Sequence, residues 1–174
     1  MTNLLEINNL SVDFPSRRGQ VAAVNKVSIA VAKGEVLGLV GESGAGKSTV
    51  GNSIINLLEP PGYISGGEII FDGNRIDQLS NEEMRKIRGA KIGTIFQDPQ
   101  TSLNPLMTIG KQLSETLIET LRISGASARE KSVELLESVG IPYPETRLDA
   151  YPHQFSGGMR QRVVIALALA GDPD

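Results

Sequence analysis

Val36-Leu37-Gly38-Leu39-Val40-Gly41-Glu42-Ser43-Gly44-Ala45-Gly46-Lys47-Ser48-Thr49 decides the fold. Its apolar first part reads as a strand, its glycine-rich middle as a loop, and Lys-Ser-Thr as the opening of a helix. The order fits the phosphate-binding loop G-x-x-x-x-G-K-[ST], in which each part has a physical job. Gly41, Gly44 and Gly46 permit backbone angles that a Cβ forbids, so successive N–H groups can turn inward around an anion. Glu42, Ser43 and Ala45 fill the variable positions of that cradle. Lys47 brings a full positive charge to the outer phosphates, Ser48 offers a hydroxyl to Mg²⁺, and the helix points its positive end at the same place. Nucleotide binding is the reading that explains all three parts at once.

Working outward, the chain has 174 residues, one domain's worth. With 40% hydrophobic and 21% charged residues it is patterned as an ordinary globular protein. A net charge of −3 gives no large basic surface, so a nucleic-acid partner is not expected. No cysteine is present, which excludes disulfides, thiolate catalysis and cysteine-ligated metal; a single histidine argues against a histidine metal site. Met1-Thr2-Asn3-Leu4-Leu5-Glu6 lacks the basic start and apolar stretch of a signal peptide. No apolar run approaches the roughly 20 residues that span a bilayer. A cytoplasmic location is expected, with membrane association only through a partner.

Residues 4–14 and Val21–Val31 read as strands around a turn at Arg17-Arg18-Gly19-Gln20. The helix after the phosphate loop is predicted to run to about Leu58, before Pro60-Pro61-Gly62. Gly66–Phe71 reads as a strand ending in an Asp72-Gly73 turn. Ser80 and Glu83 form a capping box for a short helix that Gly89 ends, and Ile92–Phe96 reads as a short buried strand before Gln97. Helical patterns follow. Ile109, Leu113, Leu117 and Leu121 make one apolar face, and Ser127 with Glu130 make a second capping box before a helix ending at Gly140. A last helix is predicted over 157–170 behind Ser156, its second half apolar all round. The expected division is a nucleotide-binding part with its β region, 1–96, and a helical part, 97–174.

Phe155-Ser156-Gly157-Gly158-Met159-Arg160-Gln161-Arg162 is the second informative cluster, and Gln97 lies between it and the phosphate loop. In this order and spacing the three resemble the ATP-binding subunit of ABC transporters, whose signature is close to L-S-G-G-Q. Phe155 replaces the Leu and Met159 the Gln, leaving the Ser-Gly-Gly core intact. Phe96-Gln97-Asp98-Pro99-Gln100-Thr101-Ser102-Leu103-Asn104-Pro105 and Tyr151-Pro152-His153-Gln154 before the signature are similar to the dipeptide/oligopeptide (and nickel) importers of bacteria.

That resemblance implies an α/β fold: a P-loop NTPase core of ABC type with an N-terminal antiparallel β region and a helical subdomain, incomplete at the C-terminus. It implies ATP and Mg²⁺ as cofactors. Phe14 would stack on adenine; Gly41 to Thr49 would hold the phosphates, with Ser48 and Gln97 at the metal. Lys47 and Gln97 are the residues it assigns to catalysis, Gln97 also linking the site to the membrane subunit. Ser156, Gly157, Gly158 and Gln161 would contact the γ-phosphate of ATP held by a second ATPase subunit, identical or paralogous. The implied partners are that subunit and transmembrane permease subunits, and the implied place is the cytoplasmic face of the inner membrane.

In the family, an apolar strand carrying the Mg²⁺-binding Asp and the catalytic Glu follows the signature helix, and a switch histidine comes later. This sequence ends at Gly171-Asp172-Pro173-Asp174. The expectation is therefore a piece that binds ATP weakly and does not turn it over, with an apolar edge exposed along its phosphate-loop strand. Asp72 is read as a turn residue, Asp98 as part of the Gln97 loop, and His153 as a loop residue. Two alternatives stand beside the peptide importer. One is a non-transport ABC ATPase; the other is a hydrolysis-deficient nucleotide-binding module that forms mixed dimers through Ser156–Gln161.

Overall fold

A computed structural model describes residues 3–17, 19–96 and 102–174. The chain divides into two compact units, Met1–Met84 and Arg85–Asp174.

The first unit is built on long β-branched, alternating runs. Strand β1 (Asn3–Ser16) pairs antiparallel with β2 (Gly19–Ala32) on one side and β3 (Tyr63–Phe71) on the other. The short β4 (Asn74–Arg75) completes the order β2-β1-β3-β4. One face is apolar, with Ile7, Leu10, Val12, Val24, Ile69 and Phe71 buried. Ile7 and Leu10 cannot share a face of a regular strand, since side chains alternate with period two. A bulge between them restores the phase: the pairing with β2 shifts register between Ile7 and Leu10, and Asn9 takes φ 50°. Gly67 stands opposite at φ 85°, where a Cβ would collide with the carbonyls of Asn8 and Asn9. Asp72 and Gly73, at φ 46° and 72°, make the predicted hairpin turn, and Asn74 Nδ2 donates to the Asp72 carbonyl at 2.9 Å.

Helix α1 (Lys47–Ile54) follows the phosphate loop. It stops before the predicted Leu58, because Asn56 turns left-handed at φ 51° and the Leu57 N–H closes onto the Asn52 carbonyl at 2.8 Å. The capping box of helix α2 (Asn81–Ile87) is formed as expected: the Ser80 N–H donates to Glu83 Oε2 at 2.8 Å, and the Glu83 N–H donates to Ser80 Oγ at 3.3 Å.

Two predicted strands are absent. Val36–Val40 joins no ladder among the described residues, and Val36 and Val40 are 95% and 94% exposed. The reason is physical: a parallel-core strand needs neighbours to take its N–H and C=O groups, and the antiparallel sheet of this unit supplies none. Ile92–Phe96 is likewise not a buried strand. Ile92 makes a single bridge with Arg88, and Ile95 and Phe96 are about half exposed.

The second unit is helical: α3 (Ile109–Leu121), α4 (Gly125–Ser138), the short α5 (Pro144–Arg147), a 3₁₀ turn (Pro152–Gln154) and α6 (Gly157–Leu169). Ile109, Leu113 and Leu117, the predicted apolar stripe, are fully buried. They join Leu103, Leu136, Ile141, Leu148, Phe155, Val163 and Val164 in its core clusters. Each such side chain contributes roughly 1.5–3 kcal/mol on leaving water. Helix α4 starts a turn before the predicted box, because Ser124 is its cap and takes the Ser127 N–H at 3.3 Å. It ends at Gly140 as expected. Helix α6 is not buried all round, since Leu169 is 48% exposed while Val163 and Ala166 are buried.

Candidate functional site

The phosphate loop turns through Gly44 and Gly46, both left-handed at φ 82° and 84°. At Gly46 a Cβ would strike the Ala23 carbonyl of β2, so only glycine lets the helix start this close to the sheet. Three longer helices close their first turn with a side chain: Thr108 on α3, Ser124 on α4, Ser156 on α6. Helix α1 does not. Its N-cap is Gly46, no side chain accepts its first N–H groups, and no acidic residue lies in its first turn. Donors and a positive helix end are left for an external anion.

Lys47 Nζ folds back on this loop, donating to the Gly41 carbonyl at 2.7 Å and the Glu42 carbonyl at 2.5 Å. Those carbonyls hold the ammonium over the loop. Gly41, Glu42, Ser43, Gly44, Ala45 and Ser48 are exposed, while Lys47 and Thr49 are half-buried. The cradle fits a polyphosphate. For Mg²⁺ it offers the exposed hydroxyl of Ser48 at the start of α1, and no group of three acidic, histidine or cysteine side chains suited to a metal occurs among the described residues. A magnesium ion that keeps water and phosphate ligands suits such a sparse protein contribution.

Phe14 lies on β1 opposite Val21, half-buried, with its ring edge packed on the backbone of Gly62. Gln97, the expected sensor of the metal and the γ-phosphate, and Asp98 lie outside the described residues. Asp72 is committed to its hairpin, and His153 stacks on Tyr151 with ring centres 5.7 Å apart. A groove of about 570 Å³ lies on the sheet, and no residue of the phosphate loop lines it. Asn9, Ser11, Asp13 and Lys26 line it with mixed charge, and nothing in it cradles a phosphate.

In the second unit, Ser156 caps α6 from an extended backbone, its Oγ taking the Met159 N–H at 3.3 Å. Ser156, Gly157, Gly158 and Gln161 are all exposed, and nothing stands within 4 Å of the position a Cβ would take on either glycine. Gln161 follows Gly157 by four residues and so shares its side of the helix. The turn is open for a large ligand to approach its backbone.

Sequence reasoning missed what lies beneath this turn. Arg160 Nη1 donates to the Phe155 carbonyl at 2.8 Å, Arg162 Nη1 to the Gly140 carbonyl at 2.8 Å, and the Arg147 guanidinium sits 5.7 Å from the Phe155 ring centre. The one available signal was spacing, since Arg160 follows Ser156 by one helical turn.

A helix start left open by its own sequence, with a lysine above it, defines a P-loop nucleotide-binding protein. The particular family is shown by comparison: the ABC transporter family model matches residues 24–174, and the chain belongs to that family. It is 52% identical to the oligopeptide transport ATP-binding protein OppD of Bacillus subtilis, over 99% of this chain and 49% of that protein. It is 44% identical to the dipeptide transport ATP-binding protein DppD of Escherichia coli, over 98% of this chain and 52% of that one. The chain thus spans about half the length of the curated relatives it matches. Among solved structures it matches a dimeric, post-hydrolysis state of the ATP-binding cassette MJ0796 bound to ADP and Pi. That match has a TM-score of 0.85 at 32% identity, over 97% of this chain and 70% of that one. CbiO1 from Clostridium perfringens, part of the ABC transporter complex cbiONQ, matches at 0.76 and 25%, over 99% of this chain and 63% of that one. The α/β fold is that of an ABC cassette.

Proposed function

We propose that the chain is the ATP-binding, energy-coupling part of an ABC importer for dipeptides or oligopeptides. The observation that carries it is the uncapped start of α1 beneath Lys47, in a chain whose relatives are named for peptide transport. ATP supplies the phosphoanhydride bond and, with Mg²⁺, the charge that the loop neutralises. Lys47 leaves the Gly41 and Glu42 carbonyls for the phosphate oxygens; Ser48 gives one oxygen to the metal; the N–H groups of α1 bind and orient. Gln97 senses the metal, and Phe14 stacks on the base.

In this reading residues 1–96 hold the nucleotide, and 97–174 carry the Gln97 loop and the signature turn. Ser156, Gly157, Gly158 and Gln161 reach the phosphate of a second subunit, as the dimeric cassette among the structural matches supports. Permease subunits dock near Gln97 and hold the ATPase at the cytoplasmic face of the membrane. No helix among the described residues is long and apolar enough to cross a bilayer.

A second reading, a nucleotide-binding module without turnover, is favoured by one observation: Asp72, at the end of the apolar strand β3, is spent in a hairpin turn. Titrating the purified chain with Mg-ATP and following phosphate release, beside Lys47→Ala, tests both. Binding lost in Lys47→Ala supports the site. Turnover sensitive to that change favours the complete ATPase, and binding without turnover favours the module. No binding by the parent chain sinks both.

A further inference from the structure

The exposed turn at Ser156 rests on Phe155, and Phe155 is held from four directions. Its N–H donates to the Pro152 carbonyl at 3.2 Å, and the residue is 3% exposed in the helical core. The Arg147 guanidinium lies beside the ring, and Arg160 reaches back from the first turn of α6 to the Phe155 carbonyl. Arg160 Nε, however, is buried with no partner among the described residues. A dry, unpaired guanidinium N–H is costly, so stability alone does not account for an arginine at this place. What the side chain does secure is direction. The carbonyl it takes belongs to the peptide leading into Ser156, whose backbone stands at φ −65° and ψ 163°, from which Oγ reaches the Met159 N–H.

We propose that Arg160 is a positioning residue for the signature turn. It holds the Phe155–Ser156 peptide so that Ser156 and the bare backbone of Gly157 and Gly158 present one fixed arrangement of donors to the nucleotide of a second subunit. The glycines need such support, because they have no side chains to restrict their own backbone. The last clause of the proposal rests on the reading of the turn given under Proposed function; the local role does not.

Amide exchange in the full chain tests the local role. Arg160→Met keeps the aliphatic stem and removes the donors, and Arg160→Lys keeps one. With the cap loosened, exchange at Met159 should rise roughly tenfold in Arg160→Met and return most of the way in Arg160→Lys, while Val163 to Leu167 stay unchanged. In Mg-ATP, association of two copies should then need about tenfold more protein, with Mg-ATP affinity per copy unaltered. Unchanged exchange at Met159 overturns the proposal. So does a parallel rise along the whole of α6, which marks ordinary loss of stability. If exchange responds but the parent chain never associates in Mg-ATP, the local role stands and the second-subunit reading of the turn fails.

Discussion

Lys47 Nζ is closed onto the Gly41 carbonyl at 2.7 Å, six residues back along the same loop. The contact is exposed and local, so it serves the loop and not the core. Replacing Lys47 by Ala should therefore leave folding stability within about 0.5 kcal/mol. Binding is another matter, since a charged donor facing phosphate contributes roughly 1.5–3 kcal/mol. Mg-ATP affinity should fall on the order of 10²-fold at the upper end of that range. Calorimetric titration beside a urea melt separates the two effects, and equal losses in both would contradict this division of labour.

Two glycines of the same region should respond to alanine with opposite signs. Gly46 is left-handed and its Cβ would meet the Ala23 carbonyl, so Gly46→Ala should cost about 1–3 kcal/mol or more and distort the loop. Gly51 lies inside α1 with nothing within 4 Å of its Cβ position. Gly51→Ala should stabilise by roughly 0.5–1 kcal/mol. Urea midpoints of the two variants check the pair, and a common sign would mean that α1 is not anchored on β2 as described.

The phosphate loop, the Ser80–Glu83 box and the Ile109–Leu117 stripe were legible because each is settled by residues within a turn or two. The start of α4 was not: Ser124 and Ser127 are both good caps, and only packing chooses between them. Val36–Val40 shows the deeper limit. Its residues want a buried strand, but a strand exists only where neighbours accept its hydrogen bonds, and those are not local. The supports of the Ser156 turn were illegible for a related reason. Arg147 and Arg160 meet at Phe155 only after α5, the 3₁₀ turn and α6 are in place.

Asp77 gives the β3–β4 hairpin a pH dependence. Burial pushes its carboxyl up. The Arg75 side chain, the Ile69 N–H at 2.9 Å and the Arg75 charge outweigh that and hold it below the usual carboxylate range. A group with a lowered native pKa adds stability that is present above its unfolded value, near pH 4, and is lost as pH falls through the native value. Stability should thus decline below about pH 4, and Asp77→Asn should flatten that decline. At neutral pH the same variant should be mildly destabilised, since Ile69 keeps an acceptor but Arg75 loses a charged one across a partly exposed pair. Urea melts from pH 3 to 7 on both proteins decide it, and parallel curves would remove Asp77 from the account.

Val36 and Val40 offer the reverse case, apolar residues whose loss should help. They are 95% and 94% exposed at the ends of a segment that pairs with no strand among the described residues, with Leu37 and Leu39 between them at about half exposure. A short β-prone run without charge or proline, with open backbone groups, is a template for pairing with other chains. Replacing both valines by Lys removes little buried area, so stability should change by no more than about 0.5 kcal/mol. Aggregation at high protein concentration should slow, because like charges then line the exposed segment. Light scattering over time measures the second effect and a urea melt the first. If the double variant instead unfolds early, the two valines are packed in solution, and the segment is a strand after all.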